Sequence, residues 1–383
     1  MTQPSVIVVG GGVMGMASAC ALAGQGADVT VVERYTVGHD WASSHGLTRA
    51  IRHEYGPNAL YTRMVARSLA LWDDLARETG RRLYTETGVL TLGQEDDGQT
   101  LAGYEVMRGE GLPVERLSHV ECARRFPQFQ TESYSAITWN PRGGMLHASE
   151  CLLALKDRLA ARGGRLREQA QVTRVEPRGA GARLWLADGE TLDADRVVIT
   201  AGPWVQDVLT GLAQAPVRAT RQQVCYFSGA DATAFGAGVF PVFLAEMECY
   251  GFPLQGQGWL KVASHLTGPA VNPNEGYAAD DAEVAFVRDF LRRVIPAAAA
   301  LDLALVDRCM YDMTPDEDFI LDHIPGAEGI ILGSGFSGHG FKFGVLIGEL
   351  LAALALDRQP EFPLDRFRLS RFGATPDASL VQG

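Results

Sequence analysis

Apolar and polar positions follow two periods along this chain, and the change between them marks out its elements. Residues 6–9 form an unbroken apolar run, the pattern of a strand buried on both faces. Residues 13–23 are small and apolar and predict a helix, after which "ADVTVVE" predicts a second buried strand ending at Glu33. A long helix is predicted over residues 60–77, and "RLYTETGVLTLGQ" reads as strand segments joined by Thr-Gly turns. "HASECLLALKDRLAARGG" has helical apolar spacing and stops at Gly-Gly. Strands then flank a hairpin at Asp188-Gly189, and a buried strand over 197–200 runs into "TAGPW". Mixed strands with one helix near 282–294 fill residues 216–316. The closing "EGIILGSGFSGHGFKFGVLIGELLAALAL" predicts a buried strand, a glycine-rich loop that opens the last helix, and that helix.

The first three elements carry glycines at an informative spacing. Gly10, Gly12 and Gly15 stand in GxGxxG order between strand and helix, and Glu33 closes the second strand. Gly10 permits a tight turn, Gly12 lets the backbone approach a pyrophosphate, and Gly15 lets helix and strand pack closely. The helix N-terminus then faces the phosphates. Glu33 is suited to accept hydrogen bonds from ribose hydroxyls and to repel a 2′-phosphate. Glycines also mark ordinary turns, but strand, helix, strand and acid together point to a dinucleotide site. The pattern itself leaves NAD and FAD open. A nicotinamide dehydrogenase usually continues into further repeats of the same unit, whereas this chain departs into "YTVGHDWASSHGLTRAIRHEYGPNALY". Such an excursion is the organisation of FAD enzymes of the glutathione-reductase type. The expected fold is α/β with an α+β second domain. A Rossmann-like FAD-binding domain, made of residues 1–80, 144–215 and 317–383, is interleaved with a mixed-sheet substrate domain of residues 81–143 and 216–316.

Composition narrows the function classes. The 383 residues are 46% hydrophobic, enough for a large core, and the formal charge of -12 argues against a nucleic-acid surface. The six cysteines form no CxxC and no zinc pattern with histidine, so no metal site is expected. The start "MTQPSVIVV" has no basic leader, and no apolar run reaches the roughly 18 residues of a membrane span. A soluble, cytoplasmic protein is expected.

Six blocks, in order over nearly the whole chain, carry a resemblance. They are "GGGVMG", "SSHGLTRAIRHEYG", "CYGFP" with "GWLKVASH", "CMYDMTPDEDFILDHIP", "GFSGHGFKF" and "FRLSRF". In these the chain resembles the monomeric sarcosine oxidase family, which includes N-methyltryptophan and pipecolate oxidases. The resemblance implies an FAD-dependent oxidase of secondary amino acids, sarcosine foremost, that often acts as a monomer. The substrate becomes an imine, oxygen becomes hydrogen peroxide, and water hydrolyses the imine to amine and formaldehyde. Two other readings stand beside it: a flavin dehydrogenase with an acceptor other than oxygen, and a non-catalytic flavoprotein subunit.

Residue roles follow from the same resemblance. Cys309 matches the position that holds the flavin 8α carbon through a thioether; without the family, a strand cysteine is ordinary packing. Arg52 and Lys342 match the pair that grips the substrate carboxylate, a planar fork and a compact charge. An unpaired lysine among the apolar neighbours of "GHGFKFGV" would be costly, which favours function. Lys261 matches the lysine beside flavin N(5) implicated in oxygen activation, although strand alternation alone would turn it to solvent. His265, Tyr250 and Tyr311 match side chains lining the substrate pocket, with His265 able to change protonation near neutral pH. His45 and Arg49 match residues beside the isoalloxazine ring, where Arg49 could equally be a structural ion pair. Thr48 falls in the same cofactor-contacting block, and Gly338 and Gly340 in the loop implied to face the flavin pyrimidine. Leu47 departs from the family, whose members often carry Asp there.

Overall fold

The computed structural model describes residues 3–245 and 248–373. Residues 1–2, 246–247 and 374–383, which fall within the expected domain segments, lie outside the described residues. The first sheet has six strands in the order Ile320–Ile324, Ala327–Ser334, Arg196–Ile199, Ser5–Val9, Asp28–Val32 and Arg165–Arg167. Neighbours are parallel except Ile320–Ile324, which returns antiparallel on Ala327–Ser334. The unbroken apolar run at its centre has a direct cause. Val6 and Val8 pack into one core with the helices Val13–Gly24, Ala148–Ala161 and Gly344–Ala355. Ile7 and Val9 pack into a second core on the opposite face, under the three-stranded sheet of Val172–Arg178, Gly181–Leu186 and Thr191–Ala194. A strand covered on both sides has no polar face to display.

The second large sheet has eight strands, running from Asp302–Met313 and Arg218–Ser228 through Leu260–Ser264, Cys249–Phe252, Val242–Ala245 and Val89–Gly93 to Ala136–Asn140 and Glu115–Arg116. It is mixed: only Val242–Ala245 and Val89–Gly93 pair in parallel. Helix Asp281–Val294 lays Val287, Phe290, Leu291 and Val294 against it, in one core with Phe227 and Phe243. A small antiparallel sheet of Thr48–Ile51, Gly144–His147 and Tyr84–Glu86 completes the architecture. The fold is thus α/β with a mixed second sheet, and the strands of the first sheet come from three separated stretches of chain.

Two local expectations differ from the structure. The glycine-rich loop does not open the last helix directly, because a 3₁₀ turn, Phe341–Phe343, comes first. All five residues of Leu260–Ser264 are buried, including Lys261, because neighbouring chain covers both faces of that strand. Among the described residues, no helix is long and apolar enough to cross a membrane.

Candidate active site

The first strand and helix meet in a turn that only glycine permits. Gly10 has φ of +101°, and a Cβ there would lie 2.5 Å from the Thr200 carbonyl oxygen. A Cβ on Gly15 would lie 1.9 Å from the Gly10 carbonyl oxygen, so helix and turn touch backbone to backbone. Gly12 is extended, and the next residue, Val13, donates its N–H to Ser44 Oγ at 3.0 Å. The first helical turn holds no acidic residue, so its positive end stays available to an anion. Glu33 is buried, and its carboxylate accepts the N–H of Gly11 at 2.6 Å and of Tyr35 at 2.7 Å. The acid therefore shapes the turn. Gly10, Gly12 and Glu33 line a cavity of about 140 Å³ with Arg34, Tyr35 and Trp204. These residues fit the ADP half of FAD: a backbone cradle that a Cβ would fill, a helix N-terminus and a ribose-side acid.

A second cavity, of about 490 Å³, adjoins the first, and Arg49, Tyr311 and Gly338 line both. Gly338 has φ of +73°, and a Cβ on it would come within 2.3 Å of the Tyr311 ring. Gly340 lines only the first cavity and packs against Phe336 and Met14. Arg52, Tyr250, Lys261, His265 and Lys342 line the second. Lys342 is buried, and its Nζ donates to Tyr55 Oη at 2.8 Å and to the His339 carbonyl oxygen at 2.7 Å. Arg52 donates to the Glu54 carbonyl oxygen and lies 4.9 Å from the Tyr55 ring centre. Both side chains are thus held by neutral oxygens and by the Tyr55 and Phe343 rings. Burial and the Arg52 charge pull Lys342 well below the usual lysine range.

Lys261 is 2% exposed, and its Nζ donates to the Thr48 carbonyl oxygen at 2.8 Å. Its basicity is lowered by burial and then by Arg49. Arg49 donates to the carbonyl oxygens of Thr48 and Ser43, at 3.0 Å and 2.9 Å, and to that of His45, so carbonyls hold it where an ion pair was considered. Thr48 and Gly15 line none of the cavities described here; Thr48 acts from behind, through the carbonyl that anchors both cations. Tyr250 and Tyr311 share a hydrogen bond, and burial raises both phenols, keeping them neutral. His265 is exposed at the cavity rim, where the surrounding protein and then the Arg52 and Lys342 charges lower its imidazole. Leu47 packs with Val224, Tyr226 and Ala263, an apolar contact where a carboxylate would be stranded.

Cys309 is buried, and burial raises its thiol despite the opposing charges of Arg49 and Lys261. It lines a small cavity with Arg49, Tyr250, Lys261, Tyr311, His45 and Asp307. His45 Nε2 lies 3.5 Å from Asp307 Oδ2. The other five cysteines are also buried and free. Sequence reasoning missed Glu54, Tyr55, His339 and Asp307. Glu54 and Tyr55 follow Arg52 closely and Asp307 lies two residues before Cys309, a proximity that was the available signal.

Residues 5–354 match the family model for FAD dependent oxidoreductases. The chain is 33% identical over 377 residues to an N-methyl-L-tryptophan oxidase of Yersinia pestis (strain Pestoides F), covering 96% of this chain and 99% of that protein. Among solved structures, it superposes on L-proline dehydrogenase from P. horikoshii with TM-score 0.86 at 21% identity, over 97% of this chain and 98% of that one. Glycine oxidase from Geobacillus kaustophilus gives TM-score 0.83 at 21% identity, over 97% and 99%. The two structural likenesses speak for the fold, and the matches over nearly the full length of the chain speak for its ancestry. The chain belongs to the FAD dependent oxidoreductase family, and it is an FAD-dependent enzyme.

Proposed function

We propose that this enzyme is an oxidase of secondary, N-methyl amino acids that passes electrons to oxygen. The observation that carries this reading is the pair Arg52 and Lys342, two cations held by neutral oxygens in a cavity that adjoins the dinucleotide groove. They hold the substrate carboxylate, and so place the adjacent amine toward the shared wall of Arg49, Tyr311 and Gly338. FAD supplies the two-electron oxidation of the C–N bond and the return of those electrons to oxygen as hydrogen peroxide. The linked phenols of Tyr250 and Tyr311 add no charge that would compete for the carboxylate. Lys261 is desolvated and held by the Thr48 carbonyl, and in its protonated form it would stabilise a nearby negative charge strongly because water is excluded. Cys309, which lines a cavity with Arg49 and Tyr311, would be the residue to tether the flavin through a thioether. The residues of the six-stranded sheet form the FAD-binding domain and those of the eight-stranded sheet the substrate domain.

The relative named for N-methyl-L-tryptophan supports the N-methyl class, in which sarcosine is the smallest member. The test is an oxygen-electrode panel of sarcosine, N-methyl-L-tryptophan, pipecolate and proline, with peroxide measured in parallel. Peroxide release with an N-methyl amino acid is expected. Turnover only with an artificial electron acceptor would instead identify a dehydrogenase. The same preparation, precipitated with acid, should give a yellow pellet, and Cys309→Ser should release the colour to the supernatant.

A further inference from the structure

Glu54 stands beside Arg52 and is not itself a ligand for the substrate carboxylate. It is 7% exposed and lines the same cavity as Arg52, Tyr55 and Lys342. Its Oε1 accepts from Asn140 Nδ2 at 3.0 Å, whereas Oε2 is enclosed and has no hydrogen-bond partner. Asn140 also contacts Nδ1 of His53, whose ring burial lowers to about 4 and so keeps neutral. Other acids lining the cavity are engaged or exposed. Asp318 is held by Tyr61 and Arg366, Asp316 by Arg371, and Glu317 faces solvent.

A carboxylate oxygen buried without a donor is costly unless opposite charge lies close. Arg52 and Lys342, which line the same cavity, are the charges to which it is coupled. Burial pushes the Glu54 carboxyl up and Arg52 pulls it back, while Glu54 in turn supports the Lys342 ammonium. With Lys342 protonated and Glu54 ionised the pair is charged, and a proton passed from one to the other neutralises both. In either case the three side chains carry one net positive charge, which matches one carboxylate.

We propose that Glu54 is a specificity-determining counter-charge that limits the Arg52–Lys342 site to a single carboxylate, so that monocarboxylic secondary amino acids are taken in preference to dicarboxylic ones. This rests on the reading of Arg52 and Lys342 as the carboxylate ligands. A second carboxylate in the cavity would leave a buried excess of negative charge. Removing the Glu54 charge leaves two cations facing the incoming ligand and admits it.

The test titrates the FAD-loaded enzyme with acetate and with malonate, read by calorimetry and by perturbation of flavin absorbance. The wild type should bind malonate about tenfold more weakly than acetate, the scale of one charge in a partly buried site. Glu54→Gln, which keeps an acceptor for Asn140, and Glu54→Ala should each raise the malonate-to-acetate affinity ratio about tenfold. Comparing that ratio between proteins removes the difference in ligand size. A wild type that binds malonate as tightly as acetate, or variants with an unmoved ratio, would overturn the counter-charge. Acetate binding that survives unchanged in Arg52→Ala would instead overturn the carboxylate site itself, a separable result.

Discussion

The two large cavities share a wall at Arg49, Tyr311 and Gly338, yet one is made by backbone and the other by charged side chains. The dinucleotide groove depends on glycines whose missing Cβ atoms let chain segments touch, and on a buried acid that ties two backbone N–H groups. The second cavity depends on Arg52, Lys261 and Lys342; the two lysines are held by a carbonyl and a hydroxyl from distant parts of the chain, and Arg52 by the Glu54 carbonyl two residues on. A backbone cradle tolerates almost no change, since nothing in it can swing aside. A set of side chains tolerates change in steps, each with its own cost.

The strongest way to break that contrast is to place a side chain on Gly15. With backbone oxygen 1.9 Å from the new Cβ, the turn or the helix must move. Overpacking of this kind costs on the order of 3 kcal/mol. Gly15→Val should purify with FAD occupancy reduced about tenfold or more, read as visible absorbance per protein. Retained occupancy would mean that the groove is as adaptable as its neighbour. Lys342→Met should behave in the opposite manner. It removes a charge that donates to Tyr55 and His339 but keeps the length of the side chain. Flavin absorbance should persist, while KM for an N-methyl amino acid rises roughly ten- to hundredfold, the scale of a lost charge-assisted hydrogen bond. Loss of the cofactor in this variant would erase the distinction between the cavities.

That division also decides what can be read from the sequence. Gly10, Gly12, Gly15 and Glu33 act within one local unit, so their spacing along the chain already carries the geometry of the turn. Lys261 shows the limit. Alternation sends it to solvent, and it is buried because the Thr48 carbonyl, from another sheet, meets its ammonium. Its assignment came from family resemblance, which encodes tertiary contacts that periodicity lacks. Glu54 was passed over for the same reason, since its partner Asn140 lies 86 positions away. The surroundings of His265, where Arg52 and Lys342 arrive from other elements, are likewise invisible to local spacing. Residues whose chemistry depends on neighbours within a turn were legible, and those whose neighbours arrive from other sheets were not.

The smallest effect concerns the boundary of the two regions, where His45 meets Asp307 beside Cys309. The hydrogen bond and charge of Asp307 raise the His45 imidazole above its ordinary range. Burial pushes the Asp307 carboxyl up, but the His45 hydrogen bond and charge outweigh it and hold it below its ordinary range. The two signs define a window. A raised histidine contributes stability that is complete below its unfolded value, about 6.5, and is lost as pH climbs through the folded value. A lowered aspartate contributes above about 3.9 and loses that contribution as pH falls through its folded value. The pair is therefore fully formed between roughly pH 4 and 6.5. Both groups are partly solvated, so the contribution is about 0.5–1 kcal/mol. Asp307→Asn should lower the stability of the FAD-loaded protein by that amount at pH 5.5 in a denaturant titration, and by progressively less toward pH 9. A loss of equal size at both pH values would show that Asp307 acts by packing alone. The boundary would then be held as the glycine turn is, by close packing.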